Sequence, residues 1–280
     1  MNLKDKLSTL LFFLKPRKVV AMYKLYFGDE WLEHSVDSIA ASMYRVVFVI
    51  SDIPWGNNPE IAGDDLEPII ARLQKKYPGK IIVYRGTWNK QLEQVREGMK
   101  FTKENFPEAT HMLYIDSDEI YPADQLEKLL RLTRSRRYFN RAIRVQYNTY
   151  FKTIYYRIMP RSWPTAGALI PLRHYTDFID ARNVLTVNSV DMPGIIYEHF
   201  AYVRKSDERI RQKIEAHRET EPVLGDWFNN VWMKWSTQMT DFHPTIPPLW
   251  KSVEAVNKKD LPADIVTTFE SWKSEHMNQP

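Results

Sequence analysis

Two aspartates, Asp116 and Asp118, stand one residue apart directly behind the apolar run His111-Met-Leu-Tyr-Ile115. Carboxylates at the end of a strand can turn into one cleft together. There their oxygens would hold a hard divalent ion and leave coordination positions open for phosphate. Aspartate also favours first helical turns, so the pair alone is a weak signal, and its place behind a strand is what gives it weight. A second acidic strand end, Ser51-Asp52, follows the run 45–50. Later in the chain, His199, Arg204 and Lys213 offer an imidazole and two cations. Each has a plainer reading, the histidine as a satisfied structural group and the cations as surface charge. The chain has no cysteine, which excludes disulfides, a thiol nucleophile and thiolate metal sites. Nine glycines in 280 residues, against a usual ~7%, argue against a glycine-rich phosphate loop.

The elements that must position these groups are visible as hydrophobic periodicity. Apolar runs at 18–23, 45–50, 81–84 and 111–115 read as strands. Helical spacing covers 29–41, 64–76, 89–105 and 122–133. Four strand–helix alternations predict an α/β chain: an open, mostly parallel sheet with helices on both faces and its ligand edge at the carboxyl ends of the strands. Strands are expected at 141–147, 155–159 and 168–172. A helix at 206–217 is capped by Ser206, an aromatic helix covers 226–239, and a last helix lies near 262–269. The expected organisation is a lead-in at 1–17, an α/β ligand-binding domain at 18–205 and a mainly helical extension at 206–280. The apolar run 7–14 is too short to span a bilayer and lacks a signal-peptide cleavage site. It reads as an amphipathic helix, and the expected compartment is the cytoplasm.

Net charge is +4, from 39 basic and 35 acidic residues, but it is unevenly spread. Residues 128–176 contain no acid and eleven basic side chains, which leaves 28 basic and 35 acidic residues, a net of −7, for the rest. Within this zone Arg134, Arg137, Arg141 and Arg144 are interleaved with aromatics that include Tyr138, Phe139 and Trp163. Arginines meet phosphates and aromatic faces stack bases or sugars, so a polyanionic partner is one expectation. Pairing with acids from elsewhere in the fold is the other.

Several of these segments together resemble the GT-A fold, family 2-like glycosyltransferases. Residues 22–39 (MYKLYFGDEWLEHSVDSI) resemble the opening strand and acidic helix of that family. Tyr114-Ile-Asp-Ser-Asp-Glu-Ile120 resembles its metal-binding D-x-D motif. The segment Trp88-Asn-Lys-Gln91 through Gly98 resembles the helix before that motif, with Glu97 where the family has asparagine. Glu198-His-Phe-Ala-Tyr-Val-Arg204 with Lys213 resembles a segment of phage and bacterial members that returns a histidine to the metal. The resemblance spans about residues 18–215.

The resemblance implies a metal-dependent transferase moving a sugar from a nucleoside-diphosphate donor, a UDP-sugar, to a hydroxyl acceptor. It implies Mn2+ or Mg2+ on Asp116, Asp118 and His199, with the leaving diphosphate also met by Arg204 and Lys213. Tyr23, Asp52, Lys90, Arg96 and Asp116 fall at donor-binding positions. The general base would be Asp177 or Glu198, drawn from the few acids beyond the basic zone. The acceptor would meet Arg134, Arg137, Arg141, Arg144 and Trp163. A nucleic acid carrying a hydroxymethylated base, which would have to be flipped out of a duplex, is one candidate. Saccharide or lipid-linked acceptors are the other. A nucleic-acid-binding protein on a disused transferase scaffold is the non-enzymatic alternative.

Overall fold

The computed structural model describes residues 10–57, 63–162, 166–184, 188–217 and 223–277. The expected apolar runs form β1 (Val19–Leu25), β2 (Arg45–Ser51), β3 (Ile81–Gly86) and β4 (His111–Ile115). They lie parallel in the order β3-β2-β1-β4. Their near-continuous hydrophobicity follows from burial on both faces. In β1, Val19, Ala21, Tyr23 and Leu25 enter one core cluster while Val20 and Met22 enter the other, the two-residue alternation of a strand. Helices α1 (Leu32–Ile39) and α2 (Glu67–Lys76) cover the first face, with α4 (Ala123–Arg131), which follows the short β5 (Glu119–Ile120). Helix α3 (Gln91–Asn105) covers the second through Val95 and Met99. Its Gly98 permits the close approach: a Cβ there would stand 2.6 Å from Val49 Cγ2 and 2.8 Å from Met22 Sδ.

Beyond β4 come β6 (Ala142–Phe151), β7 (Tyr156–Met159), β8 (Ala166–Pro171), β9 (Ser189–Tyr202) and β10 (Ser252–Ala255). Among the described residues the sheet order is β10-β7-β6-β8-β4-β1-β2-β3, with β9 paired to β5 and β6. Strand β8 runs antiparallel between β4 and β6, and β9 runs parallel to β6. This is the open α/β sheet expected from the strand–helix alternation, with its second half largely antiparallel.

Three expectations need correction. The fourteen-residue β9 was not anticipated. Pro193 and Gly194 interrupt its pattern, and the register steps over them, from Val145↔Met192 to Gln146↔Ile196. The aromatic helix expected at 226–239 is a single wide turn, Phe228–Trp232, in which the Met233 N–H reaches back to the Phe228 carbonyl at 2.9 Å. The wide turn directs both Trp227 and Trp232 onto Phe151, which a regular helix would not do with residues five apart. The last helix, α6 (Ala263–Met277), is longer than expected, because Phe269 and Trp272 pack into the cluster around Trp31. Helix α5 (Asp207–His217) begins as expected, with Ser206 Oγ accepting the Arg209 N–H at 3.3 Å. Strand β10 adds an edge to β7, so part of the C-terminal segment is sheet.

Candidate functional site

A cavity of about 250 Å³ opens at the carboxyl ends of β1 and β4, the edge where such sheets bind ligands. Asp116, Ser117 and Asp118 line it directly behind β4. A turn holds them, the Glu119 N–H donating to the Asp116 carbonyl at 3.1 Å. The loop after β1 presses on this turn at Gly28, whose φ is +150° and where a Cβ would meet Ser117 Oγ at 2.7 Å. Strand β9 closes the far wall. Its Phe200 N–H donates to the Asp118 carbonyl at 2.9 Å, and His199 pairs with Glu119. That pairing brings His199, and Arg204 just beyond it, to Asp118.

Asp118 is the most heavily served acid of the site. Its Oδ2 accepts from Arg204 Nη2 and, at 3.3 Å, from Lys213 Nζ, while its Oδ1 faces His199 Nε2 at 3.5 Å. Burial pushes its carboxyl up, but Lys213, Arg204 and His199 outweigh burial and hold it well below the usual carboxylate range. Asp116 is half-buried. Its Oδ2 accepts from Arg182, Lys24 Nζ lies 4.0 Å from Oδ1, and burial is again outweighed by these two cations. Asp116 Oδ1 has no hydrogen-bond partner among the described residues, a costly state for a buried oxygen. Among those residues no three His, Asp or Glu side chains close on one point as a preformed metal shell.

Sequence reading missed four charged residues of this wall: Lys24, Glu30, Arg182 and Arg209. Lys24 left a signal, a lone cation inside an otherwise apolar strand. Arg182 left none. It arrives on a turn in which Asp180 Oδ1 accepts the N–H groups of Arg182 and Asn183, both at 2.7 Å. It also bonds Glu119 Oε1 at 2.8 Å and lies over the Tyr114 ring. Glu30 holds Arg204 Nη1 at 3.1 Å, and Arg209 joins Asp29 and Asp64 at 2.8 and 2.6 Å.

Of the residues singled out from sequence, Asp116, Asp118, His199, Arg204 and Lys213 meet in the cavity, and the other described ones do not line it. Tyr23 is fully buried, with its hydroxyl on Ser35 Oγ at 3.0 Å. Asp52 is exposed opposite Arg85 at 3.7 Å, and Lys90 is exposed at the start of α3. Arg96 instead holds the Phe178 carbonyl, through Nε at 3.0 Å and Nη2 at 2.7 Å, and so pins the segment that carries Arg182. Asp177 faces Arg96 at 3.4 Å and caps its own neighbour's N–H. Glu198 adjoins His199 on β9, so its side chain takes the opposite face. There it accepts from Asn148 and Tyr150, and burial raises its carboxyl despite these donors. Arg144 pairs with Asp191 at 2.7 Å. Arg134, Arg137 and Arg141 are exposed near the start of β4, at the other edge of the sheet. Trp163 lies outside the described residues.

No family model matches the sequence, and no curated protein matches it. Solved structures similar to it include TarS residues 1–349 from S. aureus, at 9% identity and TM-score 0.42, covering 72% of this chain and 64% of that one. The same protein in complex with UDP aligns at 12% identity and TM-score 0.37, over 53% of this chain and 38% of that one. A 4-diphosphocytidyl-2C-methyl-D-erythritol synthase aligns at 17% identity and TM-score 0.36, over 56% of this chain and 76% of that one. The chain thus spans less than two thirds of either TarS structure. Among the described residues no helix is long and apolar enough to cross a membrane.

Proposed function

We propose that the chain is a glycosyltransferase that binds a nucleoside-diphosphate sugar in the cavity behind β4 and transfers the sugar to a hydroxyl acceptor. The observation that carries this reading is Asp118, buried at the ligand edge of a parallel sheet and ringed by Arg204, Lys213 and His199. The cations Lys24, Arg182, Arg204, Arg209 and Lys213 meet the wall carboxylates Glu30, Asp116 and Asp118, and behind them Asp29, Asp64 and Glu119. With Lys205, which pairs with Asp29 at 3.7 Å, six positive charges meet six negative ones and leave no surplus for a diphosphate, so an added cation suits the site. Such ions are commonly held by one or two carboxylates and shared with substrate phosphates rather than caged by protein. The orphaned Oδ1 of Asp116, Asp118 Oδ1 and His199 Nε2 are the donors that would hold Mg2+ or Mn2+. When bound, the ion would act as a Lewis acid toward the leaving diphosphate.

Arg204 and Lys213 share Asp118 Oδ2, and the incoming phosphates compete for the same N–H groups. Engaged with the diphosphate, both would stabilise the charge that grows as the sugar leaves. Phe27, Trp55 and Tyr202 provide flat apolar wall for the nucleoside. Trp55 is fixed by its Nε1–H on Gln94 Oε1 at 2.8 Å. The arginines expected to hold a nucleic-acid acceptor lie at the other edge, so they lend that acceptor no support.

The test is calorimetric titration of UDP and UDP-sugars, with and without Mn2+, into the wild type and Asp118→Asn. Binding should need the ion and weaken about tenfold or more in the variant, the scale of a lost buried charge pair. UDP-sugar hydrolysis should fall in parallel. Absence of binding to any nucleoside diphosphate overturns the proposal. Equal binding in chelator and in the variant overturns the metal role alone.

A further inference from the structure

The basic zone is not absorbed by the cavity. Much of it is neutralised within the fold: Lys128 by Asp124, Arg131 by Glu127, Arg144 by Asp191 and Arg157 by Glu254. Arg134, Arg136, Arg137 and Arg141 are exposed and have no carboxylate partner among the described residues. They sit on the segment between α4 and β6, which the buried His111 at the start of β4 anchors through the Phe139 carbonyl at 2.7 Å.

The helical residues 10–14 dock onto this same segment. Phe12 and Phe13 face inward on Phe139, at ring distances of 6.1 and 4.8 Å. Arg17 caps the carbonyls of Phe12 and Phe13 at 2.9 and 2.6 Å, and Arg136 lies 6.0 Å over the Phe13 ring. The other side of the turn is apolar and open. Leu10, Leu11 and Leu14 are 51%, 57% and 66% exposed. Spacings of three and four residues put them on one helical face.

We infer that this edge docks on an anionic lipid surface, with Leu10, Leu11 and Leu14 entering the headgroup boundary and Arg134, Arg136 and Arg137 meeting the lipid phosphates. An open apolar face flanked by cations is what interfacial binding requires, because apolar burial and charge attraction act together there. Nucleic acid would use the arginines but has no place for three exposed leucines. The nearby rings of Phe12 and Phe13 are packed against Phe139 rather than free to stack on bases.

The experiment is flotation of the full chain with vesicles of phosphatidylcholine alone or mixed with phosphatidylglycerol, at ~0.15 M salt. The variants are Leu10→Ser/Leu11→Ser/Leu14→Ser and Arg134→Glu/Arg136→Glu/Arg137→Glu. All six positions are exposed, and circular dichroism checks that both variants keep the fold. The wild type should float with the mixed vesicles only, and each variant should lose about tenfold or more of its binding. Three results overturn the inference: no flotation of the wild type, flotation of the leucine variant equal to wild type, or steeply salt-dependent binding of duplex DNA that vesicles do not displace and only the arginine variant loses. Nucleotide titration of the same samples reads the cavity separately, so failure of this inference and failure of the proposed transferase are distinguishable.

Discussion

A buried ionised side chain survives only where the fold supplies partners, and the two aspartates of the cavity obey this unequally. Asp118 has three, drawn from β9, the segment after it and α5. Asp116 has Arg182 and a more distant Lys24, and one oxygen left over. The aspartates announced themselves by their place behind an apolar run; His199, Arg204 and Lys213 came only through the resemblance, and Lys24 and Arg182 not at all, because these partners stand 66 to 95 residues away in the chain. His111 shows the neutral counterpart. Its Nε2–H donates to the Phe139 carbonyl and its Nδ1 faces Thr110 Oγ1 at 3.0 Å, and burial pushes its imidazole down to about 4. The folded value lies below the unfolded 6.5, so protons favour the unfolded chain. Stability from this residue is complete above about pH 6.5 and is lost as pH falls toward 4, on the order of 2 kcal/mol of it between pH 7 and 5. Urea unfolding at pH 7 and 5 should therefore show a smaller acid loss in His111→Gln than in the wild type. Equal losses would show that His111 titrates normally.

At the scale of elements, the first half of the chain was legible because its strands are buried on both faces and its helices on one. Composition and period then carry the same message. The second half was legible in part: β6, β7, β8, α5 and α6 fall where expected, whereas β9, β10 and the turn at 228–232 do not. Strand β9 contains Pro193 and Gly194 and is a strand because β6 and β5 pair with it. The wide turn 228–232 exists because Trp227 and Trp232 must both reach Phe151, a demand of the core rather than of helical propensity. The D-x-D turn depends on a similar agreement between elements. Gly28 lies in a backbone region that side chains rarely adopt, and the loop it belongs to is tied by Asp64 Oδ2, which accepts the Gly28 and Asp29 N–H groups at 2.6 and 3.1 Å. A methyl group at Gly28 must push Ser117 and strain φ together. Gly28→Ala should cost about 1–3 kcal/mol in chemical unfolding. It should also weaken nucleotide binding more than that loss of folded protein explains, because Ser117 lies between the two aspartates. Wild-type stability and affinity in this variant would mean that the loop does not set the turn.

For the whole molecule, the near-neutral net charge hides a division between the two edges of one sheet. The carboxyl edge holds a cavity whose charges nearly cancel among themselves. The amino edge carries the unpaired arginines and the open leucines. The two are separated by at least the length of β4, five residues, or about 17 Å at strand rise. The screening length is about 8 Å at physiological ionic strength and about 30 Å at 0.01 M. The edges should therefore act independently in ordinary buffer and sense each other in dilute buffer. Arg134→Glu/Arg136→Glu/Arg137→Glu removes three positive charges and adds three negative ones. At 0.15 M salt it should change the affinity for UDP with Mn2+ by less than about twofold, and at 0.01 M it should weaken it measurably, since an anionic ligand then approaches against added negative charge. Calorimetry at the two salt concentrations decides the matter. A large loss already at 0.15 M would mean that these arginines reach the donor site by some route other than the field, and the functional separation of the two edges would fail.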